Sequence, residues 1–324
     1  MLRGKDNSAP ITNSCNAPYT QVVVDKNFDC FVCQCDGWLP IPVGQVLDFY
    51  SLEEVWRSPQ AQQLQQDVDN KKFTWCAVDR CNIKNIDRVF APTIRINIDE
   101  SCNLACPSCR TAQKMIGPGE EFDSKLVAVQ RILTWINEYP NLLEIVMSGN
   151  GDPLASPIIR PILKNFAPKQ LHKIILFTNG LLMDKILPGL PIMSNLHSLQ
   201  ISVDAGSADV YHKVRRPGKW SDLMRNFDWI QSNDLHDRTL LLFVLQESNY
   251  QDLLPFAKLC RSRGFRGFVS PLDDWGTWTL PGEFARHNIL DPAHPKHREC
   301  LDHVRTVQPF KNLNISSAIL ALDQ

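Results

Sequence analysis

The residues best suited to do chemistry are three cysteines in one short stretch, Cys102, Cys106 and Cys109, spaced C-x3-C-x2-C in Asp99-Glu100-Ser101-Cys102-Asn103-Leu104-Ala105-Cys106-Pro107-Ser108-Cys109. Thiolates are the usual ligands of iron–sulfur clusters, and a compact loop can bring three of them onto one cluster. A four-iron cube has four corners, so three cysteines leave one iron open to a substrate or cofactor. The competing reading is a structural zinc loop that borrows a distant fourth ligand, although tetrahedral zinc sites more often use two close cysteine pairs. Nine of the 11 cysteines lie between Cys15 and Cys109. Such clustering in a chain of 324 residues points to metal binding or catalysis rather than to disulfides.

Such a loop needs a scaffold. From about residue 91, short apolar runs rich in β-branched residues predict strands over 93–98, 143–148, 173–178, 198–204, 240–246 and 266–272. Between them, Leu126, Val129, Leu133 and Ile136 share a helical face, as do Leu223, Phe227 and Ile230, and Leu253, Phe256, Ala257 and Cys260. Alternation of strands and helices predicts an α/β fold with a parallel sheet, either flat or curved into a partial barrel, with functional loops at the C-terminal strand ends. Residues 1–90 read as a small, irregular, cysteine-rich domain and 91–324 as the α/β domain with a C-terminal extension. Within the first, 21–24 is extended and one helix spans about 51–66, with Ser51 and Glu54 at capping-box spacing.

Other strand ends carry candidate ligands. Gly149, Asn150, Gly151 and Asp152 follow the second strand, where small residues let backbone approach a ligand or simply turn. Asn179 ends the third strand, in a turn-forming Asn-Gly. Ser202 and Asp204 alternate with Ile201 and Val203 and so should share the interior face, where an unpaired carboxylate is costly. Arg215 lies in Tyr211-His212-Lys213-Val214-Arg215-Arg216-Pro217-Gly218, and an arginine fork suits a carboxylate. Gln246 ends the fifth strand, and Asp273, Asp274 and Trp275 follow the sixth.

Over about residues 91–275 these motifs, in this order, resemble the radical S-adenosylmethionine (SAM) superfamily. The resemblance implies a partial (β/α)6, TIM-like barrel and a [4Fe-4S] cluster on Cys102, Cys106 and Cys109. The open iron would take the amino and carboxylate groups of SAM. Reductive cleavage would then give a 5′-deoxyadenosyl radical that removes hydrogen from a substrate. It further implies that Gly149–Asp152 meet the SAM amino group, that Asn179, Ser202, Asp204 and Gln246 line the cofactor, and that Arg215 meets its carboxylate. Ser108 is a departure, since the family usually has an aromatic residue there.

Residues 15–85 resemble the Twitch/SPASM auxiliary-cluster domain of the same enzymes, through Cys15-Asn16-Ala17-Pro18, the cysteines after Asp25, Gly44, and the Ser51-Leu52-Glu53-Glu54-Val55-Trp56 helix. This implies one auxiliary iron–sulfur cluster on Cys15, Cys33, Cys76 and Cys81. It leaves Cys30 and Cys35 unassigned and puts Gln34 where the family has a cysteine. A zinc ribbon is the alternative. Cys260 and Cys300 read as core or structural residues.

A net charge of −1 gives no basic field for nucleic acid, though a nucleotide substrate needs only local contacts. No apolar run reaches the ~18 residues of a membrane span, and the polar N-terminus lacks a signal-peptide core, so a cytoplasmic protein is expected. The expected function is a radical SAM enzyme acting on a peptide or a sugar- or nucleotide-linked metabolite, with a small electron donor such as flavodoxin or ferredoxin. The alternative is a non-catalytic zinc or electron-transfer protein.

Overall fold

In the computed structural model, residues 11–33, 41–76, 81, 83, 86–148, 150–274 and 276–323 are described. The expected positions Cys35, Gly149 and Trp275 lie outside them.

Six strands form the centre of one sheet: β4 (Thr93–Ile96), β5 (Leu143–Met147), β6 (His172–Thr178), β7 (Leu196–Ser202), β8 (Thr239–Leu245) and β9 (Arg266–Pro271). Each pairs in parallel with the next. The alternating strands and helices therefore build the expected parallel α/β sheet. It is open: with β1 (Gln21–Val24), β2 (Asp29–Phe31), β3 (Gly44–Gln45) and β10 (Leu313–Ile315) included, its order runs β10-β9-β8-β7-β6-β5-β4-β1-β2-β3, so the end strands do not meet.

β6 and β8 show why these segments become strands. Their side chains alternate between buried and half-buried along the whole length, the period of a pleated strand. One set packs beneath helices such as Glu120–Glu138, Trp220–Ser232 and Leu253–Ser262. The predicted helical stripes supply that cover: Val129, Leu133, Ile136, Leu223, Phe227, Ile230, Leu253, Phe256, Ala257 and Cys260 are buried, and Leu126 is partly buried against them. On β6 the other set includes Lys173 and Ile175, which with Ser198 and Gln200 of β7 line a cavity of about 700 Å³ toward the N-terminal strand ends.

The N-terminal segment joins this sheet. β1 (Gln21–Val24), buried at all four positions, pairs in parallel with β4. Burial on both faces explains its unbroken apolar run. β2 (Asp29–Phe31) and β3 (Gly44–Gln45) extend the sheet antiparallel, and β10 (Leu313–Ile315) closes the far edge beside β9. These three short strands were not expected.

The single helix expected over 51–66 is two, Leu52–Arg57 and Pro59–Asp69. Proline lacks an N–H and pushes the residue before it out of the helical region, and Ser58 is extended, with φ −61° and ψ 149°. Ser51 does cap the first helix by accepting from Glu54 N–H at 3.3 Å. The Glu54 carboxylate accepts from Tyr50 N–H at 2.6 Å rather than from Ser51.

Candidate active site

The three-cysteine loop leaves the C-terminal end of β4. Asp99 at its root accepts a hydrogen bond from Ser156 Oγ at 2.5 Å, and Cys102 N–H donates to Lys114 O at 2.7 Å. A tight turn joins the last two cysteines, with Cys109 N–H and Arg110 N–H both 2.9 Å from Cys106 O. Cys106 is buried, Cys102 half-buried and Cys109 exposed, so the set grades from core to solvent.

The ends of the other strands converge on this loop. After β5, Gly151 packs against it so closely that a Cβ would sit 2.3 Å from Ser101 O. The small residue expected to admit a ligand here admits the loop's own backbone. Asp152 N–H donates to Ser101 O at 2.8 Å. The Asp152 carboxylate is buried and accepts from Leu154 N–H (2.9 Å), Ala155 N–H (3.3 Å), Thr178 Oγ (2.9 Å) and Asn179 N–H (2.6 Å). Its four acceptor sites are therefore filled by protein. Burial pushes this carboxyl above its ordinary range, and those four donors oppose the rise. Asn150 is exposed; its carbonyl accepts from Arg110 Nη2, and its side chain donates to Asn97 O at 3.4 Å.

The sulfurs of Cys102 and Cys106 each have a nitrogen donor. Cys102 Sγ accepts from Leu104 N–H at 3.4 Å and from Asn179 Nδ2 at 3.8 Å. Asn179 is itself fixed by donating to Asn103 Oδ1 at 2.8 Å. Cys106 Sγ lies 3.7 Å from Arg215 Nη1. Arg110, next to Cys109 in the chain, donates to Glu100 O at 2.7 Å. Burial, then the Asp152 charge, push the Cys102 thiol up to about 11, against the pull of Leu104 N–H and Arg110. Burial also raises Cys106, and Arg215 opposes it.

Ser202 is the last residue of β7 and half-buried. Strand alternation, expected to give Asp204 the same face, does not extend to it. The strand ends at Ser202, and Asp204 takes a left-handed backbone with φ 54°. Its carboxylate is buried but paired: it accepts from Val244 N–H at 2.8 Å and meets Arg215 Nη2 at 2.6 Å. Burial raises the Asp204 carboxyl, and the adjacent guanidinium opposes the rise. Arg215, expected to meet a cofactor carboxylate, already holds a protein carboxylate and a cysteine. Ala105 N–H donates to Arg216 O at 2.6 Å, tying this segment to the loop. Gln246, after β8, is buried, and its backbone N–H donates to Asn249 Oδ1 at 2.9 Å. After β9, Asp273 and Asp274 are exposed, while Thr277 Oγ reaches Ser108 O at 3.4 Å.

Sequence reasoning missed two arginines. Arg110 follows Cys109 directly, and that adjacency was a readable signal. Arg95 sits on β4 with its Nη1 3.1 Å from Ser148 Oγ and its guanidinium 5.7 Å from the Phe177 ring centroid. Ser148 in turn donates to Asn97 Oδ1 at 2.8 Å.

The N-terminal cysteines form a second group. Residues 14–16 run beside Arg88, with Arg88 N–H 2.7 Å from Ser14 O and Asn16 N–H 3.0 Å from Arg88 O. Cys15, Cys76 and Cys81 pack against a small satellite core of Val68, Phe73 and Ile83. Burial, then the charges of Cys33, Cys15, Cys81 and Asp67, push the Cys76 thiol up to about 12. The four thiols are thus near enough to feel one another. Cys30, by contrast, is fully buried in the main core on β2, as are Cys260 and Cys300 on their helices.

Among the described residues, no three Cys, His, Asp or Glu side chains are placed to hold one metal ion. Cys102, Cys106 and Cys109 are nonetheless coupled electrostatically.

Residues 96–260 match the Radical SAM superfamily. The chain belongs to that superfamily, whose members use a [4Fe-4S] cluster and SAM. It is 27% identical over 180 residues to GTP 3′,8-cyclase of Corynebacterium glutamicum (strain R), covering 54% of this chain and 47% of that protein. It is 21% identical over 208 residues to GTP 3′,8-cyclase of Desulforamulus reducens, covering 63% of each. With molybdenum cofactor biosynthesis protein 1 of Drosophila melanogaster it shares 24% over 173 residues, 52% of this chain and 30% of that one. The chain spans about half the length of the first of these relatives. Among solved structures, Streptococcus suis SuiB bound to S-adenosylmethionine aligns at TM-score 0.45 and 13% identity, over 82% of this chain and 62% of that one. The structure of anSMEcpe with bound AdoMet aligns at TM-score 0.43 and 19% identity, over 56% and 52%. No helix among the described residues is long and apolar enough to cross a membrane.

Proposed function

We propose that Cys102, Cys106 and Cys109 hold a [4Fe-4S] cluster and that the chain uses it to cleave SAM and remove hydrogen from a nucleotide substrate. The observation that carries this is the convergence of the strand ends on a three-cysteine loop in which the sulfurs of Cys102 and Cys106 each have an N–H donor. When bound, the cluster supplies the electron that breaks a carbon–sulfur bond of SAM, giving a 5′-deoxyadenosyl radical.

The protein's part is holding and ordering. Asp152 locks the β5 loop to the end of β6 and, through its N–H, to Ser101. Asn179 and Asn103 hold each other beside Cys102. Asp204 and Arg215 hold Cys106 from the β7 side. These residues act by position. Asn150, Ser202 and Gln246 are proposed to line the cofactor, as is Gly149. The half-buried inner face, with Arg95 and Phe177, is proposed to receive the substrate.

A nucleotide is favoured over a peptide because the curated relatives are named GTP 3′,8-cyclases. The auxiliary cluster on Cys15, Cys33, Cys76 and Cys81 is supported by the mutual electrostatic coupling of these thiols. A small protein such as flavodoxin or ferredoxin would supply electrons.

Anaerobic reconstitution with iron and sulfide, followed by SAM and a strong reductant, should yield 5′-deoxyadenosine. Adding GTP or another nucleotide should raise that yield and consume the nucleotide. Protein that binds only zinc, or a cluster that never releases 5′-deoxyadenosine, would refute the radical reading. Stimulation by a peptide and by no nucleotide would refute the substrate class alone.

A further inference from the structure

Arg215 occupies an unusual place. Its side chain is 13% exposed, its Nη2 meets Asp204 at 2.6 Å, and its Nη1 lies 3.7 Å from Cys106 Sγ. Its Nε is buried without a hydrogen-bond partner, and the buried hydroxyl of neighbouring Tyr211 has none either. A guanidinium cannot lose its proton in a protein, so a full positive charge stands against the most buried of the three cysteines. Asp204 cancels much of that charge, and Val244 N–H and the left-handed turn at Asp204 fix the carboxylate in place. Arg110, the other cation at the loop, follows the most exposed cysteine, Cys109, and donates to backbone carbonyls. Water screens a charge there far more strongly than it does beside Cys106.

We infer that Arg215 and Asp204 form a charge couple that sets the reduction potential of the cluster through Cys106: the guanidinium raises it and the carboxylate limits the rise. The inference rests on the cluster proposed above. Hydrogen bonds to cluster sulfurs and nearby charge are established levers on such potentials. Reduction adds one electron from an external low-potential donor. Arg215 stabilises that added negative charge, Asp204 opposes it, and neither gains nor loses a proton. Both are positioning residues.

The two halves of the couple predict opposite signs, which separates tuning from simple loss of packing. The test is an EPR-monitored redox titration of the full chain, following the signal that changes when SAM is added, with iron counted per chain. Arg215→Gln should lower the reduced-to-oxidised ratio at fixed poise about tenfold, equivalent to about 59 mV for one electron. Asp204→Asn, which keeps the shape and can still accept from Val244 N–H, should raise the ratio. The double variant should return toward wild type. If Arg215→Gln fails to hold the cluster, Arg215→Lys replaces it in the comparison and should shift the ratio downward by less. Shifts of the same sign for the arginine and aspartate variants, or no shift beyond twofold in either, would overturn the couple while leaving the cluster assignment standing. A wild-type chain with no SAM-sensitive cluster signal would overturn the cluster assignment and the couple together.

Discussion

The two cysteine groups of this chain differ in what surrounds their sulfurs. At the Cys102–Cys109 loop the sulfurs of Cys102 and Cys106 have N–H donors, Arg215 stands beside Cys106, and Arg110 follows Cys109. At the N-terminal group, burial and then the charges of Cys33, Cys15, Cys81 and Asp67 disfavour the Cys76 thiolate. Arg88 offers some relief to Cys15. Burial raises thiols in both groups, and at the loop an amide and a guanidinium stand 3.8 and 3.7 Å from sulfur. Under the proposed function, the loop holds the cluster that gains an electron and the N-terminal group one that staples the fold or relays charge.

The largest expected effect is at the loop. Cys106→Ala should abolish 5′-deoxyadenosine formation, beyond the roughly 10–100-fold that outer-shell changes cost, while iron at the N-terminal group persists. Product chromatography with iron analysis checks both halves, and unchanged turnover would break the comparison. Next comes Gly151→Ala. The added methyl meets the Ser101 carbonyl, so the loop must shift at a cost of about 1–3 kcal/mol. Iron loading and product should both fall, with a lower melting temperature in calorimetry.

Cys76→Ala should have the reverse profile to Cys106→Ala. Iron at the N-terminal group is lost and the melting temperature falls, at about 2–4 °C per kcal/mol for a large domain, while the SAM-sensitive signal of the loop survives. Loss of that signal would show that the two groups are not separable. The smallest effect is expected for Pro59→Ala. Ser58 still caps the second helix through Ala61 N–H at 3.3 Å, and the change acts mainly on the unfolded chain, by about 0.4–1 kcal/mol. Denaturant titration should register it, and product formation should not move.

How much of this was legible depended on sequence distance. The six central strands were readable because each carries a long apolar run, and their observed ends fall within about two residues of expectation. β2, β3 and β10 were not, since two or three residues hold no period. The helix break at Ser58–Pro59 was written in the proline. The cysteine loop was legible because its chemistry is local. The partners of Asp152 and Arg215 were not. Asp152 accepts from Thr178 and Asn179, at and just past the end of the next strand, and Arg215 meets Cys106, 109 positions earlier. Only folding brings such pairs together, so a carboxylate held by its own protein and one awaiting a ligand look alike in sequence.

The most direct test compares spectra of the reduced, reconstituted chain before and after SAM is added. If one iron at Cys102, Cys106 and Cys109 lacks a protein ligand, the EPR signal of that cluster should change shape on adding SAM, and Cys76→Ala should show the same change. A signal that SAM leaves untouched in both proteins, with iron fully loaded, would mean that every corner is already closed by the protein.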